Sequence, residues 1–294
     1  MQVPAAFEYK KAESVGHALE LLGRFGPESR VVAGGHSLIP MMKLRLAQPE
    51  ALIDINGLVE LGRIGVDGNH LVIGALVRHA ELLDSPLVAE HFPIFQDAER
   101  VIADPIVRNR GTVGGSLCQA DPSEDLSAAF AAVRAEAVIL GSRGRRIVPI
   151  REFHAGPYET VVEQEELLVE LRIRIRPGAG SAYQKVERRV GDWPVAAAGA
   201  LLTLDNGVIS EVGIGLTAVG AEHFCAPEAE SHLVGKAPTP DVLAEAGRIA
   251  AEHCDPQADQ RGPADFKRHL AGELTRRVLT AAAERAGFAH GGEA

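Results

Sequence analysis

Two short glycine clusters are where residue types and spacing in this chain could do chemistry. The first is Val31-Val32-Ala33-Gly34-Gly35-His36-Ser37-Leu38, a strand-like run, a glycine pair and then a helix-like segment. The second is Gly111-Thr112-Val113-Gly114-Gly115-Ser116, again with Gly-Gly ahead of a polar residue. Glycine lets backbone approach a phosphate with its N–H groups turned inward, and a helix start adds its positive dipole end. Two such loops suit a pyrophosphate, which has two charged groups to hold. Either cluster alone is a common turn pattern, so the pair carries the reading.

Other catalytic templates fail on spacing. No G-x-G-x-x-G opens a βαβ unit, because Gly213 and Gly215 run on to Gly220 at the wrong interval. A P-loop is absent from the sequence. Gly35-His36-Ser37 approaches a nucleophile elbow, yet Ile39 stands where that motif needs glycine. No acid–base pair or nucleophile constellation is picked out by spacing, and no catalytic residue is assigned.

The elements that must position the loops follow from periodicity. Ser14 caps a predicted helix with apolar positions at Val15, Ala18, Leu19, Leu22 and Phe25. A strand over 30–33 feeds the first loop, a helix over 38–46 leaves it, and a strand covers 51–55. Runs at 61–66 and 70–75 flank Asp67-Gly68-Asn69, a hairpin signal. Helices are predicted over 77–83 and 93–102, around the Ser85-Pro86 break. The second cluster lies in a glycine-rich stretch, 110–125, ahead of a small-residue helix over 126–133. A hairpin (137–140 with 145–150) and a long strand over 167–175 lead to the linker Arg176-Pro177-Gly178-Ala179-Gly180. Three strand runs follow at 182–188, 195–204 and 208–219, the last two joined by Asp205-Asn206-Gly207. From about Pro238 the chain is helical and charged, ending in an Ala-rich segment, 281–294, expected to pack weakly. The order predicts an α+β N-terminal region, then an antiparallel sheet covered on one face by helices.

Composition narrows the function classes. The 294 residues suit about two domains. Thirty Lys and Arg against 40 Asp and Glu leave a net charge of −10, which argues against a nucleic-acid partner. No apolar run is long enough to span a bilayer and the start lacks a secretory pattern, so the cytoplasm is the expected compartment. Cys118, Cys225 and Cys254 are scattered, so no disulfide framework, zinc site or iron–sulfur cluster is expected from this chain. Aromatics make up only 4% of residues while glycines number 31, a bias that suits backbone lying close to something other than itself.

Three segments carry a family resemblance: AGGHSLIPMMKLRLAQPEALIDI (33–55), IADPIVRNRGTVGGSLCQADPSEDL (102–126) and KVERRVGDWPVAAAGA (185–200). They resemble the FAD-binding medium subunits of molybdenum hydroxylases, in particular the carbon monoxide dehydrogenase branch. The likeness runs in order along nearly the whole chain. It implies a two-part FAD domain of the vanillyl-alcohol-oxidase (PCMH) type over 1–177, with lobes of about 1–57 and 58–177. An α+β C-terminal domain with a three-stranded antiparallel sheet and helices would cover 178–294.

The resemblance also implies a ligand set for FAD. Val32, Ala33, Gly34, Gly35, His36, Ser37 and Leu38 from the first loop, and Thr112, Gly114, Gly115 and Ser116 from the second, would hold the pyrophosphate. Ile102 would lie against the cofactor, Asp125 would hydrogen-bond it, and Leu168 and Lys185 match two further contact positions. Trp193 stands where relatives place a Tyr over the flavin, a departure that removes the hydroxyl. Bland readings compete: Ile102 and Leu168 as core, Asp125 as a helix cap, Lys185 as a solvated strand residue, Trp193 as a packing anchor. The implied task is electron relay through FAD, with a small subunit holding two [2Fe–2S] clusters and a large molybdopterin subunit as partners in a dimerised heterotrimer. A stand-alone FAD oxidoreductase, a medium subunit of an aldehyde, xanthine or N-heterocycle dehydrogenase, and a FAD-free scaffold are the alternatives.

Overall fold

The computed structural model describes residues 3–288, in three larger sheets and one two-stranded sheet bound together by buried helices. The N-terminal sheet is parallel. Strands β1 (Glu8–Lys11) and β2 (Ser29–Val32) flank β3 (Ala51–Asp54), and helices α1 (Val15–Phe25) and α2 (Leu38–Lys43) make the crossovers. Ser14 caps α1 as its sequence requires, its Oγ accepting the His17 N–H at 3.1 Å. Ala18, Leu21 and Leu22 turn into a small core with Ile53, Ile55 and Leu58.

The second sheet is antiparallel and five-stranded, in the order β4-β5-β10-β6-β7. Its hairpin β4 (Ile64–Asp67) and β5 (His70–Gly74) turns at the Asp67-Gly68-Asn69 signal. Between β5 and β6 the chain makes five short helices and one longer one. These are α3 (His79–Asp84), α4 (Pro86–His91), α5 (Pro93–Val101), α6 (Pro105–Arg108), α7 (Val113–Gln119) and α8 (Asp125–Ala132). Then come β6 (Glu136–Gly141), β7 (Gly144–Pro149), the two-stranded pair β8 (His154–Gly156) and β9 (Glu159–Thr160), and the long central β10 (Glu166–Arg174). The glycine-rich stretch, to which the sequence reading assigned no element, contains α7, which ends at Ala120 in the left-handed conformation (φ 52°). Its low helix propensity is overridden because Val113 and Leu117 are buried in the core.

The C-terminal part forms the sheet β11 (Gly180–Glu187), β12 (Pro194–Asp205), β13 (Val208–Thr217), then α9 (Pro227–Leu233), α10 (Pro240–Glu252) and α11 (Ala264–Arg285). The sequence suggested helices on one face only; both faces are covered. Ala197 and Leu201 of β12 point into the core of the N-terminal half, whereas Ala196, Ala198, Ala200 and Leu202 face α10 and α11. A strand apolar in both phases must be buried on both sides. The Ala-rich segment expected to pack weakly is also corrected, since Ala282 and Ala283 are fully buried in α11. Its last residues, 289–294, lie outside the described residues.

Helix α8 is the joint. All eight of its residues are buried, and its Ala128 and Ala132 carbonyls press on the Cα atoms of Gly215 and Gly213 in β13. Side chains at those glycines would collide with helix backbone, which cannot yield as a flexible side chain can. Gly215→Val should therefore cost on the order of 1–3 kcal/mol or more in chemical denaturation, whereas Val66→Thr, at an exposed position of β4, should leave stability nearly unchanged. Under the same helix, buried His154 donates from Nε2 to the Leu117 carbonyl at 3.2 Å, and burial pushes its pKa down to about 4. The unfolded chain then binds a proton that the folded one refuses between about pH 6.5 and 4. Stability should fall as pH drops through that window, and His154→Gln should flatten the slope in a pH series of melting curves.

Candidate functional site

The first glycine loop leaves β2 at Ala33 and enters α2 at Leu38. Gly35 sits at φ +78°, which an L side chain rarely adopts. The N–H groups of Gly34, Gly35, His36 and Ser37 donate to no protein acceptor among the described residues. Gly34 and Gly35 are half-buried, so these donors are set up for an external acceptor.

The second loop is built differently. Thr112 caps α7, its Oγ1 accepting the Gly115 N–H at 3.1 Å. The Gly114 N–H donates to the Ala75 carbonyl at 2.8 Å, and the Ser116 N–H to the Thr112 carbonyl at 3.0 Å. A Cβ on Gly114 would lie 2.6 Å from the Ala75 Cβ, so glycine is needed there for packing against β5's end. The sequence reading gave both loops inward N–H groups; the first leaves a run of four without a protein acceptor among the described residues, whereas in the second Val113 through Ser116 all find one. What the second presents instead is the Ser116 hydroxyl.

The loops touch. A side chain on Gly34 would strike the Arg110 carbonyl, and the Gly111 Cα would lie 2.8 Å away. Arg78 ties them further, donating from Nη2 to Asn56 Oδ1 at 2.7 Å and from Nη1 to the Arg110 carbonyl. Asn56 in turn donates from Nδ2 to the Ala33 carbonyl at 2.7 Å. One guanidinium thus spans from the first loop to the second.

Behind the loops opens a cavity of about 710 Å³ that all sixteen predicted cofactor residues line. Val32 through Leu38 form one wall, and Thr112, Gly114, Gly115 and Ser116 the next. Ile102 is half-buried and Leu168 is 5% exposed, each packed with the main core while also reaching the cavity. Trp193, at 41% exposed, is no packing anchor and stands at the rim. His36 is exposed and has no hydrogen bond among the described residues.

Asp125 and Lys185 form the floor. The Asp125 carboxylate accepts from Tyr183 Oη at 2.6 Å and from Lys185 Nζ at 3.1 Å, while Lys185 also donates to the Val101 carbonyl at 2.9 Å. Lys185 is not solvated, since its side chain is 1% exposed. Nor does Asp125 cap α8; Glu124 does, accepting the Leu126 and Ser127 N–H groups at 2.9 and 2.6 Å. Burial raises the Asp125 pKa against the opposing pull of Lys185 and Tyr183. It pushes Glu124 up to about 7, despite the hydrogen bonds from Ser127 and Leu126.

Sequence reasoning missed three groups on the cavity's inner side. Tyr183 completes the floor. His79 and Glu99 form a buried pair, Nδ1 to Oε1 at 2.8 Å, and His79 Nε2 reaches Ser116 Oγ at 2.9 Å. A signal for Glu99 was present: it falls on the buried stripe of α5 with Ile94, Phe95 and Ala98, an unusual place for a carboxylate. Among the described residues no group of three His, Cys, Asp or Glu could hold a metal ion, and the three cysteines are free.

Comparison with known proteins identifies this arrangement. The model of the FAD binding domain in molybdopterin dehydrogenase matches residues 5–174, and that of the CO dehydrogenase flavoprotein C-terminal domain matches residues 181–282. The carbon monoxide dehydrogenase medium chain of Hydrogenophaga pseudoflava is 42% identical over 281 residues, covering 95% of this chain and 98% of that one. The corresponding chain of Afipia carboxidovorans is 39% identical, covering 97% and 99%. A solved structure of the Hydrogenophaga pseudoflava enzyme, in a form lacking the Mo-pyranopterin moiety of its cofactor, superposes with a TM-score of 0.93 at 44% identity, over 96% of this chain and 99% of that one. The chain belongs to the molybdopterin dehydrogenase FAD-binding family, in the branch that carries the CO dehydrogenase flavoprotein C-terminal domain.

Proposed function

We propose that this chain is the FAD-holding medium subunit of a molybdenum hydroxylase of the carbon monoxide dehydrogenase type. It relays electrons from the [2Fe–2S] clusters of a small subunit, through FAD, to an external acceptor. A large molybdopterin subunit completes the heterotrimer, and the assembly dimerises in the cytoplasm. No helix among the described residues is long and apolar enough to cross a membrane. The domain reading that accompanies this is a FAD-binding part over 1–177, with lobes of about 1–57 and 58–177, and a C-terminal domain over 178–294.

The observation that carries the proposal is the row of unpartnered N–H groups from Gly34 to Ser37, facing a cavity of cofactor size. A pyrophosphate would satisfy donors that the protein leaves unmet, so the residues present fit FAD. Val32, Ala33, Gly34, Gly35, His36, Ser37 and Leu38 would take one side of it, and Thr112, Gly114, Gly115 and Ser116 the other. Ile102 and Leu168 would supply apolar surface, Asp125 and Lys185 polar contacts, and Trp193 a cover at the rim. Bound there, FAD supplies the ability to take electrons singly and pass them on in pairs. The chain's own work is to bind, orient and shield. Arg78 holds the loops at a set spacing, the Asp125–Lys185 floor keeps a dry, charge-balanced base, and the apolar walls keep water away.

Two measurements test this. Gly35→Val forces a left-handed backbone position to carry a branched side chain, a strain of about 1–3 kcal/mol. Flavin absorbance per chain in the purified complex should fall sharply, while the complex still assembles; stoichiometric flavin in the variant would refute the loop assignment. The intact complex should reduce an artificial electron acceptor, and the isolated chain should not. Turnover of a small substrate by the chain alone would overturn the relay.

A further inference from the structure

We infer that the buried His79–Glu99 pair is a positioning device for the cofactor: by keeping a proton on His79 Nε2 it obliges Ser116 to turn its own hydroxyl hydrogen toward the bound pyrophosphate. The inference deepens the FAD reading above and rests on it.

The geometry leaves few choices. Glu99 is fully buried on α5 and His79 is 4% exposed at the start of α3. Glu99 takes Nδ1 with both oxygens, at 2.8 and 3.1 Å, so the other ring nitrogen is the only one left for Ser116. The ring is locked in place, because Gly111 lies so close that a Cβ there would meet His79 Cδ2 at 2.8 Å. Ser116 is half-buried on the cavity wall, and its hydroxyl has one hydrogen to give.

When the pair holds its proton, Nε2 carries a hydrogen whether the shared proton sits on Nδ1 or on Glu99. Nε2–H then donates to Ser116 Oγ, and the Ser116 O–H is free to donate to an anion. When the pair loses that proton, Nδ1–H must serve Glu99, Nε2 is bare, and Ser116 spends its hydrogen on the ring. The serine then offers the cavity only lone pairs, which repel a phosphate oxygen. Binding of the pyrophosphate and retention of the proton therefore favour each other by linkage.

The surroundings favour the protonated pair. Glu124 at the cap of α8 and Asp125 on α8 both act on His79, and Asp125 is itself hydrogen-bonded by Tyr183 and Lys185. Arg108 at the end of α6 acts on Glu99 in the opposite sense, favouring its ionised form, and is outweighed by burial. Burial alone would lower the His79 pKa, but Glu99, then Glu124 and Asp125, bring it above the ordinary histidine value. Losing the proton would leave a buried Glu99 carboxylate with no cationic partner on the ring, an unfavourable state.

The sign follows. A bound anion raises the pKa of the pair further, so affinity is constant below the pKa of the free pair and declines as pH rises toward that of the complex. FAD dissociation constants of the full-length chain should be measured by flavin fluorescence from roughly pH 6 to pH 9, a span that starts near the ordinary histidine pKa. Affinity should drop about tenfold or more with rising pH, the effect of one charge-assisted hydrogen bond. Ser116→Ala should bind about tenfold more weakly at the low end and show a flat profile. Glu99→Gln, whose amide can meet Nδ1 as donor or as acceptor, removes the titrating carboxylate and should flatten the pH dependence. Calorimetry in buffers of different ionisation heat should show proton uptake on FAD binding at the high end, absent in Ser116→Ala. Equal slopes in the parent chain and Ser116→Ala, or no proton uptake, would overturn the inference. Failure of the parent chain to bind FAD at any pH, also when assembled in its complex, would instead refute the FAD reading itself. Melting curves of apoprotein guard against misfolding of Glu99→Gln, and Ser116→Ala remains decisive if that variant does not fold.

Discussion

The site depends on a backbone-to-backbone contact. Gly34 of the first loop lies against the Arg110 carbonyl and Gly111 of the approach to the second, closer than any side chain would permit. The parallel sheet and the five-stranded sheet each bring one loop, and this contact sets how they meet. Everything polar nearby serves it: Arg78 reaches Asn56 and the Arg110 carbonyl, and Asn56 holds the Ala33 carbonyl. Glycine here is a distance constraint between the two loops, while at Gly35 it is a dihedral one. Adjacent glycines thus do different physical jobs, one closing a joint and the other setting a backbone angle.

Charge is handled below the loops with the same economy. Lys185 comes from the C-terminal sheet and Asp125 from the central helix, and the two meet as a buried ion pair. Tyr183 adds a short hydrogen bond to the same carboxylate. Lys185 also lies 3.4 Å from Glu187, whose Oε2 has no hydrogen-bond partner. The floor of the cavity is therefore also a seam between the two halves of the chain. A change that disturbs one is expected to be felt in the other, because the same atoms belong to both.

Helix α8 explains why the halves do not behave as loosely tethered units. Its small side chains allow the β13 glycines to rest directly on its carbonyls, and Ala197, Leu201 and Tyr183 join the core of the N-terminal half. Few aromatics are needed when elements approach this closely. The glycine bias in the composition thus has two sources, a site that needs exposed backbone and a joint that needs thin backbone.

Local chemistry made much of this legible in the sequence. The Ser14 cap, the Asp67-Gly68-Asn69 and Asp205-Asn206-Gly207 turns and the three C-terminal strands follow from short-range rules, whereas β1, α4, α6, α7, the β8–β9 pair and α9 carry no such mark. The paired glycine motifs, with the resemblance they carry, pointed to FAD and to the family. Long-range geometry decided the rest. No spacing rule reports that His79 and Glu99, twenty positions apart, meet beside Ser116. Likewise, nothing local says that Glu124 rather than Asp125 caps α8, or that Lys185 is buried. Which loop keeps its N–H groups free also waited on the fold, because their acceptors, the Ala75 and Val77 carbonyls, come from a strand end more than thirty residues upstream. Sequence by itself determines which backbone conformations and donors are available, since those are properties of one residue and its neighbours. Tertiary structure alone decides which donors find partners and which charges lose water, because both depend on what the rest of the chain brings alongside.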